Sequence, residues 1–282
     1  MPRDARTARP GRPFYKMSGS GNDFVFFDAR TEAAGTLDTA ERISALCARG
    51  TGVGADGVVF LEGASTDETA FRIRYFNADG SLAALCGNAS LCSTRLAVEL
   101  GAASPDGFTF GTGAGTLTAR FVDGEPEIDL APVGLVHAAP DIPLVDGERR
   151  IGYAVAGVPH LVIRVDDLEA VDVSGRGAPL RRHPSLADGA NVNFVGRDAD
   201  GGWAMRTFER GVEAETLACG TGAVATAILL ATWGEAAEAT PVRLRTRSGR
   251  PLTVTLRKAG DLWQPSLRGE GRIVFEGSLG EL

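Results

Sequence analysis

The 282-residue chain carries 29 Lys and Arg against 36 Asp and Glu, a net charge of −7, which excludes general binding to nucleic acid or anionic membranes by charge alone. Its 44% apolar content suffices for one large packed domain or two of medium size, and no apolar run reaches the roughly 18 residues of a spanning helix. Four cysteines in so long a chain do not make a disulfide scaffold, and with no export signal they are expected as free thiols in the cytoplasm.

Residues 1–13 are rich in Arg and Pro, lack an apolar centre and read as a disordered tail. Lys16 to Gly21 leads into the apolar run Asn22 to Asp28, a buried strand. Leu37 to Arg49 has helical spacing, with Ile43, Leu46 and Cys47 on one face and Asp38 or Thr39 as cap. Gly52, Gly54 and Gly57 formally match G-x-G-x-x-G. A helix precedes them and a β-branched strand follows, the reverse of a dinucleotide-binding order, so the loop reads as a plain turn. Phe71 to Phe76 alternates like a half-buried strand, and Asn77 to Gly80 is a turn. Next come Cys86-Gly87-Asn88 and a run of helix formers. Phe108 to Leu130 is strand and turn material, and residues near Ala131 to Leu135 cross between two halves.

The second half repeats this order. Gly157 to His160 leads into the apolar run Leu161 to Val165, Asn191 to Val195 and Trp203 to Phe208 are strands, and Cys219-Gly220-Thr221 opens a second helix. Val242 to Leu256 and Gly271 to Phe275 are closing strands. Cys219 follows Cys86 by 133 residues, Phe208 follows Phe76 by 132, and Gly157 follows Gly21 by 136. Such constant offsets indicate a duplication, with a period too long for a solenoid. The expectation is a mixed α/β fold of two domains related by a pseudo-twofold axis. Residues 14–131 with 272–282 form the first and 132–271 the second, with a ligand in the cleft between them.

Each cysteine motif places a thiol at a helix start, with Asn88 or Thr221 of a helix-capping type beside it. Unpaired N–H groups and the positive dipole end are expected to lower a thiol pKa there toward thiolate, and they suit a carboxylate equally well. Inverting an amino-acid α-carbon requires a base on one face and an acid on the other, and two equivalent thiols supply both. Cys47, on the apolar face of a helix, and Cys92, inside one, read as core. Cys86 and Cys92 are too far apart for a zinc motif, and His137, His160 and His183 are scattered. Nothing in the pattern requires a metal or pyridoxal phosphate, and no cofactor is expected.

Ser18 to Phe24, Phe76 to Gly80, Cys86-Gly87-Asn88, Pro159-His160, Glu209-Arg210-Gly211 and Thr216 to Ala223 together resemble the diaminopimelate epimerase family. The resemblance implies a cofactor-independent isomerase of bacterial lysine and cell-wall precursor synthesis. It implies two similar domains, each a mixed sheet wrapped round a central helix, and a homodimer. By matched position Cys86 and Cys219 are the acid–base pair, and Gly87, Asn88, Gly220 and Thr221 hold the α-carboxylate. Asn22, Asn77, Asn191, Glu209 and Arg210 contact the substrate, with Arg210 on its remote carboxylate. His160 and Glu209 support the thiols. The chain departs from the family at Val158, where Asn is usual, and at Ser18, Ala89 and Leu91, often His, Gly and Arg. A racemase for a different amino acid and a non-catalytic amino-acid-binding protein are therefore the alternatives.

Overall fold

The computed structural model describes residues 11–280. Of the tail expected at 1–13, the first ten residues lie outside the described part. Arg12 and Pro13 are strand, not tail, because they start β1 (Arg12–Gly19) and pair with the chain's final strand, Arg12 opposite Leu279. The Arg12 guanidinium is also held, donating to the carbonyls of Ala33 at 3.0 Å and Asp28 at 3.2 Å.

β2 (Asn22–Ala29) leads to a 3₁₀ turn at Gly35–Asp38 and α1 (Ala40–Cys47). The single helix expected over 37–49 is thus divided. Thr39 is extended (φ −80°, ψ 151°), and its hydroxyl accepts the Arg42 N–H at 3.4 Å, so it starts the helix as a cap. β3 (Gly57–Gly63), β4 (Phe71–Asn77), β5 (Leu82–Ala83), α2 (Gly87–Glu99), β6 (Phe108–Thr112), β7 (Gly115–Val122) and β8 (Glu125–Asp129) complete the first half. The second comprises β9 (Val136–His137), β10 (Glu148–Ala156), β11 (Val158–Val165), α3 (Val173–Arg181), β12 (Asn191–Arg197), β13 (Trp203–Glu209), β14 (Ala214–Thr216), α4 (Gly220–Thr232), β15 (Val242–Arg245), β16 (Pro251–Ala259) and β17 (Leu262–Gly269). β18 (Arg272–Leu279) then returns to pair antiparallel with β1.

Strand polarity repeats from half to half. β1 pairs antiparallel with β2, which runs parallel to β3. β3 is antiparallel to β4, and β4 parallel to β6, which continues antiparallel through β7 to β8. The same sequence of polarities runs through β10, β11, β12, β13, β15, β16 and β17. β8 pairs with β17, Ile128 opposite Leu267, so the sheet passes from one half to the other without a break.

Inside the curl of each half runs a helix of 13 residues, α2 or α4, buried on nearly all sides. The α4 sequence, GTGAVATAILLAT, is small or apolar all round, as an enclosed helix requires. One core cluster includes Leu91 and Leu96 of α2, Ile228 and Leu229 of α4, and Leu267 at the junction. Cys47 and Cys92 are buried, as expected of core thiols.

Candidate active site

The duplicated framework delivers its strand ends and helix starts to one place. Asn22 heads β2 as Val158 heads β11, Asn191 heads β12, and Asn77 ends β4 as Glu209 ends β13. α2 and α4 begin nose to nose: a Cβ built on Gly87 would lie 3.8 Å from the Gly220 Cα and 3.1 Å from the Leu267 Cδ2. Glycine at both positions permits that approach. Two positive dipole ends face each other across the gap, an arrangement that favours an anion between them.

A cavity of about 440 Å³ lies over this junction and is lined by all eleven catalytic and binding residues expected above, Cys86 and Cys219 among them. His160 alone of the expected set does not line it. A second cavity of about 660 Å³ shares Asn22, Tyr75, Asn77, Cys86, Glu209 and Arg210 as its wall with the first. Tyr75 was missed in the sequence, although it lies two residues before Asn77 on an alternating strand and so on the same face. Val158 lines the 440 Å³ cavity, placing an apolar side chain on its wall.

The cysteines themselves occupy the N-cap positions, with extended backbones at φ −137° and −136°. Asn88 and Thr221 are the second residues of their helices, which corrects their expected capping role. Thr221 instead places its hydroxyl 3.6 Å from the Cys219 sulfur. The expected drop in thiol pKa is also corrected. Burial pushes Cys86 up to about 11; nearby N–H groups of Ala89 and Asn88 oppose this, and the Glu209 carboxylate adds to it. Burial pushes Cys219 up to about 12, again with Glu209 adding. Desolvation of the thiolate thus outweighs the helix ends. Burial also raises Glu209 above the usual carboxylate range, with the charge of Asp56 contributing.

Arg210 donates to the Asp188 carbonyl at 2.8 Å, and its backbone N–H donates to Asn191 Oδ1 at 2.8 Å. Among the described residues no carboxylate pairs with its guanidinium, whereas Arg206, on the same strand as Glu209, is bound to Glu215 at 2.7 Å. His160 is fully buried, and burial, with the charge of Arg210 adding, pushes its imidazole down to about 3.

A polar chain anchors the α2 start from behind. Asn88 Nδ2 donates to Asn22 Oδ1 at 2.6 Å, and Asn22 Nδ2 donates to Asp56 at 3.0 Å. Arg49 bridges Asp56 and Asp23 at 2.8 and 2.7 Å. The buried Lys16 ammonium donates to Asp23 at 2.6 Å and to the Gly54 carbonyl. The loop over Gly52 to Gly57 therefore braces this network as a turn. At Asp23 burial opposes ionisation, but the hydrogen bonds and charges of Arg49 and Lys16 win, and the carboxyl is held below its ordinary value. A depressed carboxyl contributes stability that is complete above its unfolded value, about 3.9, and is lost as pH falls through the folded one. The stability gap between the wild type and Asp23→Asn, read from urea midpoints, should accordingly be constant from about pH 5 to 8 and shrink below about pH 4.

Solved structures identify the class of this architecture. A phenazine biosynthesis protein of the PhzF family from Bacillus anthracis matches with a TM-score of 0.72 at 18% identity, covering 96% of this chain and 99% of that one. A hydroxyproline epimerase from Agrobacterium vitis matches at 0.65 and 18%, covering 95% and 90%. The fold is thus the duplicated α/β scaffold that these proteins share.

Sequence comparison narrows this further. The diaminopimelate epimerase family model matches residues 14–134 and 152–270. The diaminopimelate epimerase of Gemmatimonas aurantiaca is 50% identical over 280 residues, covering 95% of this chain and 99% of its own, and that of Aquifex aeolicus is 38% identical over 276 residues, covering 95% and 98%. The chain belongs to the diaminopimelate epimerase family. These relatives do not favour the alternative of a racemase for a different amino acid.

Proposed function

We propose that this protein interconverts LL- and meso-2,6-diaminopimelate by proton transfer at the α-carbon between Cys86 and Cys219. The observation that carries this reading is the convergence of two thiol-capped helix starts in one cavity with a guanidinium that no carboxylate among the described residues engages. The α-carboxylate takes the gap between the helix starts, held by the N–H groups at Gly87, Asn88, Gly220 and Thr221. One sulfur, as thiolate, removes the α-proton from one face while the other, as thiol, delivers a proton to the opposite face. The carbanion's charge spreads into the carboxylate, where the two dipole ends hold it. Asn22, Asn77, Asn191, Glu209 and Arg210 bind the remainder of the substrate, Arg210 through its distal carboxylate.

We further infer a division into 14–131 with 272–282 and 132–271, which the pairing of β18 with β1 supports. The exposed Val274 and Phe275 on β18 support a homodimer. Membership of a lysine-pathway family supports a place in the cytoplasm.

The deciding experiment is hydrogen exchange in D₂O. The wild type should place deuterium at the α-carbon of diaminopimelate, and a Cys86→Ala, Cys219→Ala double variant should not. Equal exchange by the two proteins, or exchange into other amino acids in preference to diaminopimelate, would overturn the reading. Arg210→Met should raise KM for diaminopimelate about a hundredfold, since truncating one partner of a desolvated charge pair costs on the order of 3 kcal/mol. Steady-state kinetics on both stereoisomers will show whether it does.

A further inference from the structure

His160 lies at 0% exposure on β11, and its Nε2 has no hydrogen-bond partner among the described residues. Its Nδ1 lies 3.1 Å from Nδ2 of Asn193, which is also fully buried. The orientation of that amide is fixed by its other contacts. Asn193 Nδ2 faces the Leu161 carbonyl at 2.9 Å, and a carbonyl only accepts, so the atom opposite it must be the nitrogen. Asn193 Oδ1 takes the hydroxyl proton of buried Thr207 at 2.9 Å. With one amide hydrogen on Leu161, the second points at His160 Nδ1, which can meet it only as a lone pair. The same amide lies against the first turn of α4: a Cβ on Gly222 would lie 2.3 Å from Asn193 Oδ1 and 3.2 Å from the Cys219 sulfur.

We propose that Asn193, oriented by Thr207 and the Leu161 carbonyl, is a positioning residue that locks His160 into the tautomer protonated at Nε2, so that the ring presents no free lone pair and never serves as a base. The lock follows from the hydrogen bonds alone, while its kinetic consequence rests on the epimerase reading. With its lone pair committed to Asn193, His160 takes no proton from either thiol. Proton traffic is left to the two sulfurs and to Glu209, the carboxylate whose charge acts on both. A single permitted tautomer also keeps the buried ring in one orientation against Asn193, whose Oδ1 faces Gly222 in the first turn of α4.

The test is nitrogen NMR on isotope-labelled histidine, with His137→Gln and His183→Gln used to assign the third ring. The full-length wild type should show His160 neutral, with Nε2 protonated and Nδ1 accepting. A ring protonated at Nδ1 would overturn the proposal without any variant. Asn193→Asp replaces the donor by an acceptor and should move the proton to Nδ1. It should also lower kcat about tenfold or more with KM within about threefold, the signature of a disturbed proton transfer. Asn193→Ala, which only removes the donor, should give mixed tautomers and a smaller fall in kcat. A reversed or mixed tautomer with wild-type kcat would eliminate the positioning role. Failure of the wild type to exchange the α-hydrogen of diaminopimelate would instead sink the epimerase reading and leave the tautomer result standing.

Discussion

Cys219→Ala should lower kcat for epimerisation by about 10³-fold or more, and Cys86→Ala should do the same. A single general acid or base contributes about 10²- to 10⁴-fold, and inversion requires both in one turnover. The loss should sit near the upper end because the pocket offers no substitute. His160 is held neutral with its lone pair engaged, and the Glu209 charge acts on both sulfurs alike. KM should change little, since the α-carboxylate is held by backbone N–H groups that the substitutions leave in place. Removing one buried sulfur atom should not unfold the protein, so thermal melts will separate chemistry from stability. Either single variant retaining a tenth of wild-type kcat would contradict the two-thiol scheme.

The second large effect is expected from Gly222→Ala. The added Cβ would lie 2.3 Å from Asn193 Oδ1 and 3.2 Å from both Cβ and Sγ of Cys219. Neither neighbour can yield cheaply. Asn193 is tied to His160, Leu161 and Thr207, and Cys219 is the cap of the helix that Gly222 belongs to. Overpacking of this kind costs about 1–3 kcal/mol. Because relief must move the sulfur or the wall behind it, the kinetic cost is larger: a misplacement of about 1 Å is worth about a hundredfold in rate. The expectation is a modest drop in melting temperature with a hundredfold or greater drop in kcat. A fully active Gly222→Ala protein would show that the first turn of α4 is not a rigid mount for the sulfur.

The duplication, the two thiols at the helix starts and the residues around the cleft were legible because motif order and spacing survive in both halves. Other features were hidden for identifiable reasons. α3 carries Gly175, Gly177 and Pro179, poor helix formers, and is held by the Asp172 side chain accepting the Gly175 N–H at 2.9 Å. β17 is interrupted by Pro265, yet pairs on both edges, with β16 and β8. The Arg12–Pro13 stretch gave no strand signal because its partners, Leu279 and Ser278, lie at the other end of the chain in β18. The sign of the thiol pKa shifts depends on how completely the two halves close over the sulfurs, which spacing along one chain does not encode. Asn193 and Thr207 looked like ordinary strand residues until the fold set them against His160.

The two halves offer the same backbone to a bound molecule, but not the same chemistry at matching positions: Asn22 answers to Val158, and Asn77 to Glu209. At the two helix starts the halves match, each offering a cysteine and then a glycine, which suits reversal of handedness in either direction. Further out they are lopsided: the amide of Asn22 is matched by the apolar Val158, and the amide of Asn77 by the carboxylate of Glu209. A two-headed molecule must therefore choose which head to present, and whichever end rests against the lopsided wall keeps its handedness through the turnover.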